Sequence, residues 1–293
     1  MALDLRSFAE VVRLSDGAWG TELQKLGLPP GAPPELWNTE RPEAVEAVAR
    51  SYVEAGCDVI LTNTFGGNAF VLERHGAAGR AAELVEAGVA ISRRAAGEQA
   101  KVFASIGPTG KILMMGEEDE NALAVAFAEA AGAAERGGAD ALVFETFNEI
   151  AELGLAVGTV RGVCDLPIVC SMTFASGPDG VATLMGQSPG DLACAADGWE
   201  ADAVGANCGA GPDNYVRVAA LLREATDLPI WIKANAGLPQ LGPDGQTTFP
   251  MGPDEFASFV PALIEAGANF LGGCCGTTPE HLRRLRAAVD ACP

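Results

Sequence analysis

Basic side chains are scarce in this chain: 19 Lys and Arg stand against 39 Asp and Glu, a net charge of −20 over 293 residues. A surface of that sign repels phosphate backbones and anionic lipid, so neither a nucleic acid nor a membrane surface is an expected partner. Long apolar runs are missing too. No stretch approaches the ~18 residues that would span a bilayer, and Met1-Ala2-Leu3-Asp4-Leu5-Arg6 shows no basic region followed by an apolar one. The expected location is the cytoplasm. Aromatics make up only 6%, and the eight cysteines are too few to staple a chain of this length. In a reducing compartment they are thiols, and a cluster among them points to metal or catalysis.

What is present is a 48% hydrophobic content, enough for a sizeable core. Short apolar runs alternate with longer segments of helical period. Candidate strands are Val11–Ser15, Asp58–Leu61, Val102–Ile106, Ala141–Phe144, Ile168–Thr173, Ala203–Ala206, Ile230–Lys233 and Asn269–Gly272. Between them lie helix-like segments, among them Pro42–Ala55, Ala77–Ala96, Asn121–Arg136, Asp254–Ala266 and Pro279–Ala291. A phrase recurs before strands, as Ala55-Gly56-Cys57-Asp58, Gly137-Gly138-Ala139-Asp140 and Ala266-Gly267-Ala268-Asn269. Each reads as a helix end with Gly at C′, followed by a buried strand. Near-continuous apolar strands alternating with helices imply a parallel sheet covered outside. Eight such units predict an α/β fold with a single (β/α)8 TIM barrel, residues 1–293 forming one domain. A doubly wound open sheet is the alternative. Leu28–Pro34 and Leu238–Pro250 read as long loops after strands one and seven.

A barrel of this kind gathers its active site at the C-terminal strand ends. Those ends carry Asp16-Gly17, Thr62-Asn63-Thr64-Phe65, Glu145-Thr146, Asn207-Cys208-Gly209, Asn235-Ala236-Gly237 and Gly273-Cys274-Cys275-Gly276. Cys274 and Cys275 are neighbours, which disfavours a disulfide between them. Cys208 ends a different strand of the same rim. Three thiolates suit Zn2+, and three protein ligands leave its fourth position open, as a catalytic site requires. The plainer alternative is a set of small buried residues in a Gly-rich turn. Asp16 and Glu145 suit a substrate ammonium group, which needs several acceptors. The alternatives are an N-cap for Asp16 and an internal salt bridge for Glu145. Gly17 and Ala18 are candidates to offer backbone N–H groups to a carboxylate. Thr277-Thr278-Pro279-Glu280 reads as the start of the last helix, with His281 and His75 as surface residues.

Asp16-Gly17-Ala18-Trp19-Gly20-Thr21-Glu22, Thr62-Asn63-Thr64-Phe65, Glu145-Thr146, Asn207-Cys208 and Gly272-Gly273-Cys274-Cys275-Gly276-Thr277-Thr278-Pro279 together resemble the homocysteine S-methyltransferase family, over essentially the whole chain. The resemblance implies a (β/α)8 barrel, zinc on Cys208, Cys274 and Cys275, and L-homocysteine as methyl acceptor in methionine biosynthesis. It further implies that Asp16, Thr64 and Glu145 bind the amino acid, and that Asn235 fills the open zinc position before substrate arrives. Betaine-using members carry aromatics to cage a quaternary ammonium. Here Gly66-Gly67 follow Phe65 and Thr146 follows Glu145, although Trp19, Trp37 and Phe147 remain.

The chain looks closer to the homocysteine-binding module of cobalamin-dependent methionine synthase, yet it stops at Pro293. The expectation is a free-standing module of a split system, taking its methyl group from methylcobalamin on a separate corrinoid protein. S-methylmethionine or betaine is the alternative donor. A non-catalytic barrel that binds zinc or an amino acid is the alternative from another class.

Overall fold

A computed structural model describes residues 3–116, 119–241 and 247–292. The eight apolar runs all form parallel strands: β1 (Arg13–Leu14), β2 (Val59–Ile60), β3 (Lys101–Ile106), β4 (Ala141–Phe147), β5 (Ile168–Met172), β6 (Ala203–Asn207), β7 (Ile230–Ala234) and β8 (Phe270–Gly273). Hydrogen bonding orders them β1-β8-β7-β6-β5-β4-β3-β2. The two ends of that order meet through a parallel bridge between Ser15 and Val59 and through Asp58 N–H donating to the Leu14 carbonyl at 2.8 Å. The sheet is thus a barrel, not an open doubly wound sheet.

The helices α1 (Pro42–Glu54), α2 (Ala81–Ala96), α3 (Glu120–Gly137), α4 (Ile150–Arg161), α5 (Pro189–Gly198), α6 (Pro212–Ala225), α7 (Pro253–Ala257), α8 (Val260–Glu265) and α9 (Pro279–Ala291) follow the strands. Helix α1 buries Ala44, Val45, Val48, Ala49, Tyr52 and Val53, the i, i+3, i+4 stripe of a helix with one covered face. A capping box from Ser188 and Asp191, with Pro189 in the first turn, starts α5. Two helical boundaries differ from the sequence expectation. Residues 254–266 form two helices, because Pro261 has no N–H to continue the ladder from α7. The segment from Ala77 opens as a 3-10 turn over Ala78–Arg80 before α2 begins. Val11 is 57% exposed and lies outside the sheet. The loop after β7 holds a small hairpin, Gln240–Leu241 with Thr247–Thr248, and residues 242–246 lie outside the described residues.

The last residue of the recurring Gly-x-Asp or Gly-x-Asn phrase has a second role beyond ending helices, and Asp202, which follows Glu200-Ala201 without that glycine, shares it. Asp58, Asp140, Asp202 and Asn269 each precede an even strand and accept from the first amides of the odd strand before it: Leu14 at 2.7 Å, Val102 at 2.8 Å, Ile168 at 2.8 Å and Ile230 at 2.9 Å. Four two-strand units are therefore registered by the same bond.

Side chains alternate across each strand, so inward positions recur every second residue. Val59, Phe103, Val143, Val169, Ala203, Trp231 and Phe270 form the inner core, with Trp231 and Phe270 rings 5.3 Å apart. Leu5 and Ala9, beside the short helix Leu5–Phe8, plug the floor of this core. Two residues further along their strands, Ser105, Glu145, Ser171 and Lys233 point the same way, joined by Asn207. All are buried. An apolar layer thus supports a polar one, and the polar layer faces the C-terminal rim.

Candidate active site

Three cysteines meet at that rim. Cys208 directly follows β6, and Cys274 and Cys275 directly follow β8. Both stand beside β7, which lies between them in the sheet. Cys208 N–H donates to the Lys233 carbonyl at 3.1 Å, Cys274 N–H to the Ala234 carbonyl at 2.6 Å, and Ala236 N–H to the Cys275 carbonyl at 3.0 Å. Cys208 has φ 63°, a left-handed conformation that costs a non-glycine residue roughly 1–2 kcal/mol. The Tyr215 hydroxyl holds it there, bonding the carbonyls of Asn207 at 2.8 Å and Cys208 at 2.5 Å. The turn between β8 and α9 needs its glycines. A Cβ on Gly273 would run into the Thr277 hydroxyl, and Gly276, at φ 82°, lies under the Phe249 ring.

The three sulfurs lie within 4.8 Å of one another, and no other group of three potential ligands meets that test among the described residues. Protons are shared unequally among them. The Cys274 and Cys275 thiols donate to Cys208 and hold its pKa down to about 3. Donating pushes Cys275 up to about 12 and Cys274 well above the usual thiol range. Asn235 also bonds Cys208, and its Oδ1 is buried without a hydrogen-bond partner. Three sulfurs, with an unpartnered amide oxygen on a side chain that already bonds Cys208, supply the donor types of a four-coordinate S3O site. Zinc–sulfur bonds of about 2.3 Å imply a tetrahedral edge of about 3.8 Å, which these sulfurs reach with small movements. The residues fit zinc.

A cavity of about 420 Å³ opens beside the sulfurs, lined also by Glu145, Lys233, Thr64, Trp19 and Phe65. Glu145 takes a hydrogen bond from the Ser105 hydroxyl and one from Asn207 Nδ2 at 3.5 Å. Burial raises its pKa, and the Lys233 ammonium opposes that rise. The next residue, Thr146, has φ 66°, an outlier for a β-branched side chain. Asn207 fixes it from both sides, accepting from Thr146 N–H at 2.8 Å and donating to its hydroxyl at 2.7 Å. Strained backbone at Thr146 and Cys208 thus brackets the cavity, where positioning matters most.

The remaining expected residues sit around the same cavity with differing freedom. Gly17 and Ala18 line it, but Ala18 N–H already donates to Thr277 Oγ1 at 3.1 Å. The Thr64 hydroxyl pairs with Thr62 at 2.5 Å and donates to the Ser105 carbonyl at 2.7 Å. Asp16 is wholly buried beneath the wall. It accepts from Leu61 N–H at 2.7 Å and Trp19 Nε1 at 2.8 Å, and it forms an ion pair with Lys233. It caps no helix; Trp19 occupies the cap position of Gly20–Lys25.

His281 departs from the surface expectation. It is 5% exposed, shares a capping box with Thr278 and contacts the Met251 carbonyl at 3.1 Å, because α7 folds over this face of α9. Of the expected aromatics only Trp19 reaches the cavity; Trp37 and Phe147 are buried in the core. Several site residues were not singled out from sequence. Lys233 and Ser105 are polar positions within otherwise apolar strands, which was the available signal. Glu35 had none: it lies in the short 3-10 turn Pro34–Leu36, away from any strand end, and its buried carboxylate accepts from Gly66 N–H at 2.6 Å.

Fold and rim together define a (β/α)8 barrel that collects three thiols, a carboxylate and an ammonium about one small-molecule cavity. Residues 13–289 match the homocysteine S-methyltransferase family, and the chain belongs to that family of methyltransferase enzymes. It is 34% identical to the methionine synthase of Mycobacterium leprae (strain TN), over 98% of this chain and 25% of that protein. The Mycobacterium tuberculosis (strain ATCC 25618 / H37Rv) methionine synthase is 35% identical over 95% of this chain and 24% of its own length. The chain thus spans about a quarter of the curated relatives it matches. Among solved structures, the metallated form of the homocysteine methyltransferase MmuM from Escherichia coli superposes with a TM-score of 0.79 at 23% identity, covering 97% of this chain and 99% of that one. No helix among the described residues is long and apolar enough to cross a membrane.

Proposed function

We propose that residues 1–293 act as one module that transfers a methyl group to the thiol of L-homocysteine, giving L-methionine. The convergence of three cysteine sulfurs on a small-molecule cavity carries this reading. Cys208, Cys274 and Cys275 would hold zinc, with Asn235 Oδ1 as the fourth donor. Bound there, zinc supplies the charge that removes the proton from a thiol at neutral pH.

The chain's own residues do the rest. Glu145, presented on the cavity wall by β4, receives the substrate ammonium. Thr64, Gly17 and Ala18 shape the wall opposite, and Asp16 acts from beneath through its neighbours. The buried strand ends keep water from the reacting sulfur. That sulfur forms a bond to the methyl carbon in line as the carbon–donor bond breaks, and the electron pair leaves with the donor. No side-chain nucleophile is needed.

The donor we propose is a methyl-corrinoid carried by another protein or domain. Two observations support it: the relatives at 34–35% identity are methionine synthases, and among the described residues the cavity's aromatic lining is limited to Trp19 and Phe65, too few to cage a quaternary ammonium. The test is methionine formation by the zinc-loaded chain from homocysteine with methylcobalamin, S-methylmethionine, betaine or methyl-folate. Turnover with methylcobalamin supports the proposal. Turnover with betaine or S-methylmethionine alone overturns the donor assignment. Binding of zinc and homocysteine with no turnover from any donor would leave a non-catalytic binding barrel.

A further inference from the structure

A lysine inside a barrel core is costly unless its charge is used. Lys233 lies two residues after Trp231 on β7, so it points into the barrel interior, one layer above the aromatic core. It is only 2% exposed, yet it lines the cavity. Its ammonium donates to Asp16 and, at 3.3 Å, to the Ser15 hydroxyl. An ammonium has three N–H donors, and these partners account for two.

Asp16 is fully engaged by the same arrangement. One carboxylate oxygen takes Lys233 and, at 3.4 Å, the Ser15 hydroxyl. The other takes Leu61 N–H and Trp19 Nε1. A carboxylate offers about four acceptor positions, so Asp16 has none left for a ligand. Among the described lining residues the charged groups are then Lys233 and two carboxylates, of which Glu35 is tied to Gly66 N–H at 2.6 Å and Glu145 shares the polar interior layer with Lys233. That pairing is the complement of a zwitterion.

Resting on the function proposed above, we propose that Lys233 is a specificity-determining residue that receives the α-carboxylate of the amino-acid thiol, held in place by Asp16, while Glu145 receives the ammonium. Lys233 is anchored from below by a rigid partner and from its backbone by the bond to Cys208 N–H, so its charge keeps a fixed relation to the sulfurs. A thiol that bears an ammonium but no carboxylate fills only half of this wall. The site should discriminate against it although the thiol and ammonium are unchanged.

The test compares the affinity of the zinc-loaded full chain for L-homocysteine and for 3-aminopropanethiol, by calorimetry. The wild-type protein should prefer homocysteine. In Lys233→Met, loss of a charge-assisted hydrogen bond should weaken homocysteine by about ten- to a hundred-fold and leave 3-aminopropanethiol within about twofold. Lys233→Arg should retain part of the preference. Because Lys233→Met strands a buried Asp16, the double variant Asp16→Asn/Lys233→Met is measured alongside; it removes both charges and should fold. Its preference should collapse in the same way. A homocysteine preference unchanged in the folded variants overturns the role of Lys233 and leaves the proposed function standing. Wild-type protein that binds neither thiol instead overturns the proposed function itself.

Discussion

Replacing Glu145 with glutamine isolates the proposed ammonium site, because the substitution removes one charge and almost no volume. Glu145 is the carboxylate facing the cavity beside the sulfurs, and it is 7% exposed. Gln keeps an oxygen for the Ser105 hydroxyl that Glu145 now accepts. Burial already pushes the Glu145 carboxyl upward, so a neutral side chain there should not unfold the barrel. The loss should fall on the ligand. A hydrogen bond to a charged group contributes about 1.5–3 kcal/mol, or roughly ten- to a hundred-and-fifty-fold in dissociation constant. Calorimetry on zinc-loaded protein measures this directly, with 4-mercaptobutyrate as control: it keeps the thiol and carboxylate and lacks the ammonium. Homocysteine should weaken by that factor in Glu145→Gln, and 4-mercaptobutyrate should change less than about twofold. Equal weakening of both ligands, or of neither, would refute the assignment of Glu145 to the ammonium.

The other predictions concern the metal, the turn that carries it and the buried acids. Hydrogen bonding to Cys208 pushes the Cys274 and Cys275 thiols up, and a thiol must lose its proton to ligate zinc, so zinc binding near neutral pH should release protons, read by calorimetry in buffers of different ionisation enthalpy. Release of none would contradict the three-sulfur site. Gly273→Ala should destabilise the fold by about 1–3 kcal/mol in a denaturant melt, since its Cβ would displace the Thr277 hydroxyl that bonds both Ala18 N–H and the Cys274 carbonyl. A change below about 0.5 kcal/mol would contradict that reading of the turn. Burial raises the Glu35, Glu145 and Glu152 carboxyls above the usual 4.5. The folded chain then holds protons that the unfolded chain has released, so stability falls as pH rises from 4.5 through the raised values. Glu152→Gln, which can still accept from Thr109, should make that decline shallower in melts across the pH range; an unchanged slope would remove Glu152 from the account.

The barrel was legible because its strands are mostly apolar, with polar residues gathered toward their C-terminal ends, and its helices are not. Runs such as Ile168–Met172 and Ile230–Ala234 are each opened by a proline, Pro167 and Pro229, so their number and order could be read directly. Their ends were less so: β1 spans only Arg13–Leu14, since pairing with β8 and Asp58 begins after the exposed Val11. The thiol cluster was legible for a different reason. Cysteines at two strand ends of one barrel have a rim in common whatever the loops do. What the sequence could not show was which polar groups are already spent. Asp16 looked free and is saturated by Leu61, Trp19 and Lys233. His281 looked exposed and is covered by α7 through Phe256, whose ring centroid lies 5.6 Å from its own. Both outcomes depend on partners distant in sequence, which local pattern does not encode.

X-ray absorption at the zinc edge tests the central claim most directly. Zinc-loaded protein should show three sulfurs at about 2.3 Å and one lighter atom near 2.0 Å, and adding L-homocysteine should convert that set to four sulfurs. A ligand set that contains fewer than three sulfurs, or that homocysteine leaves unchanged, would contradict the account.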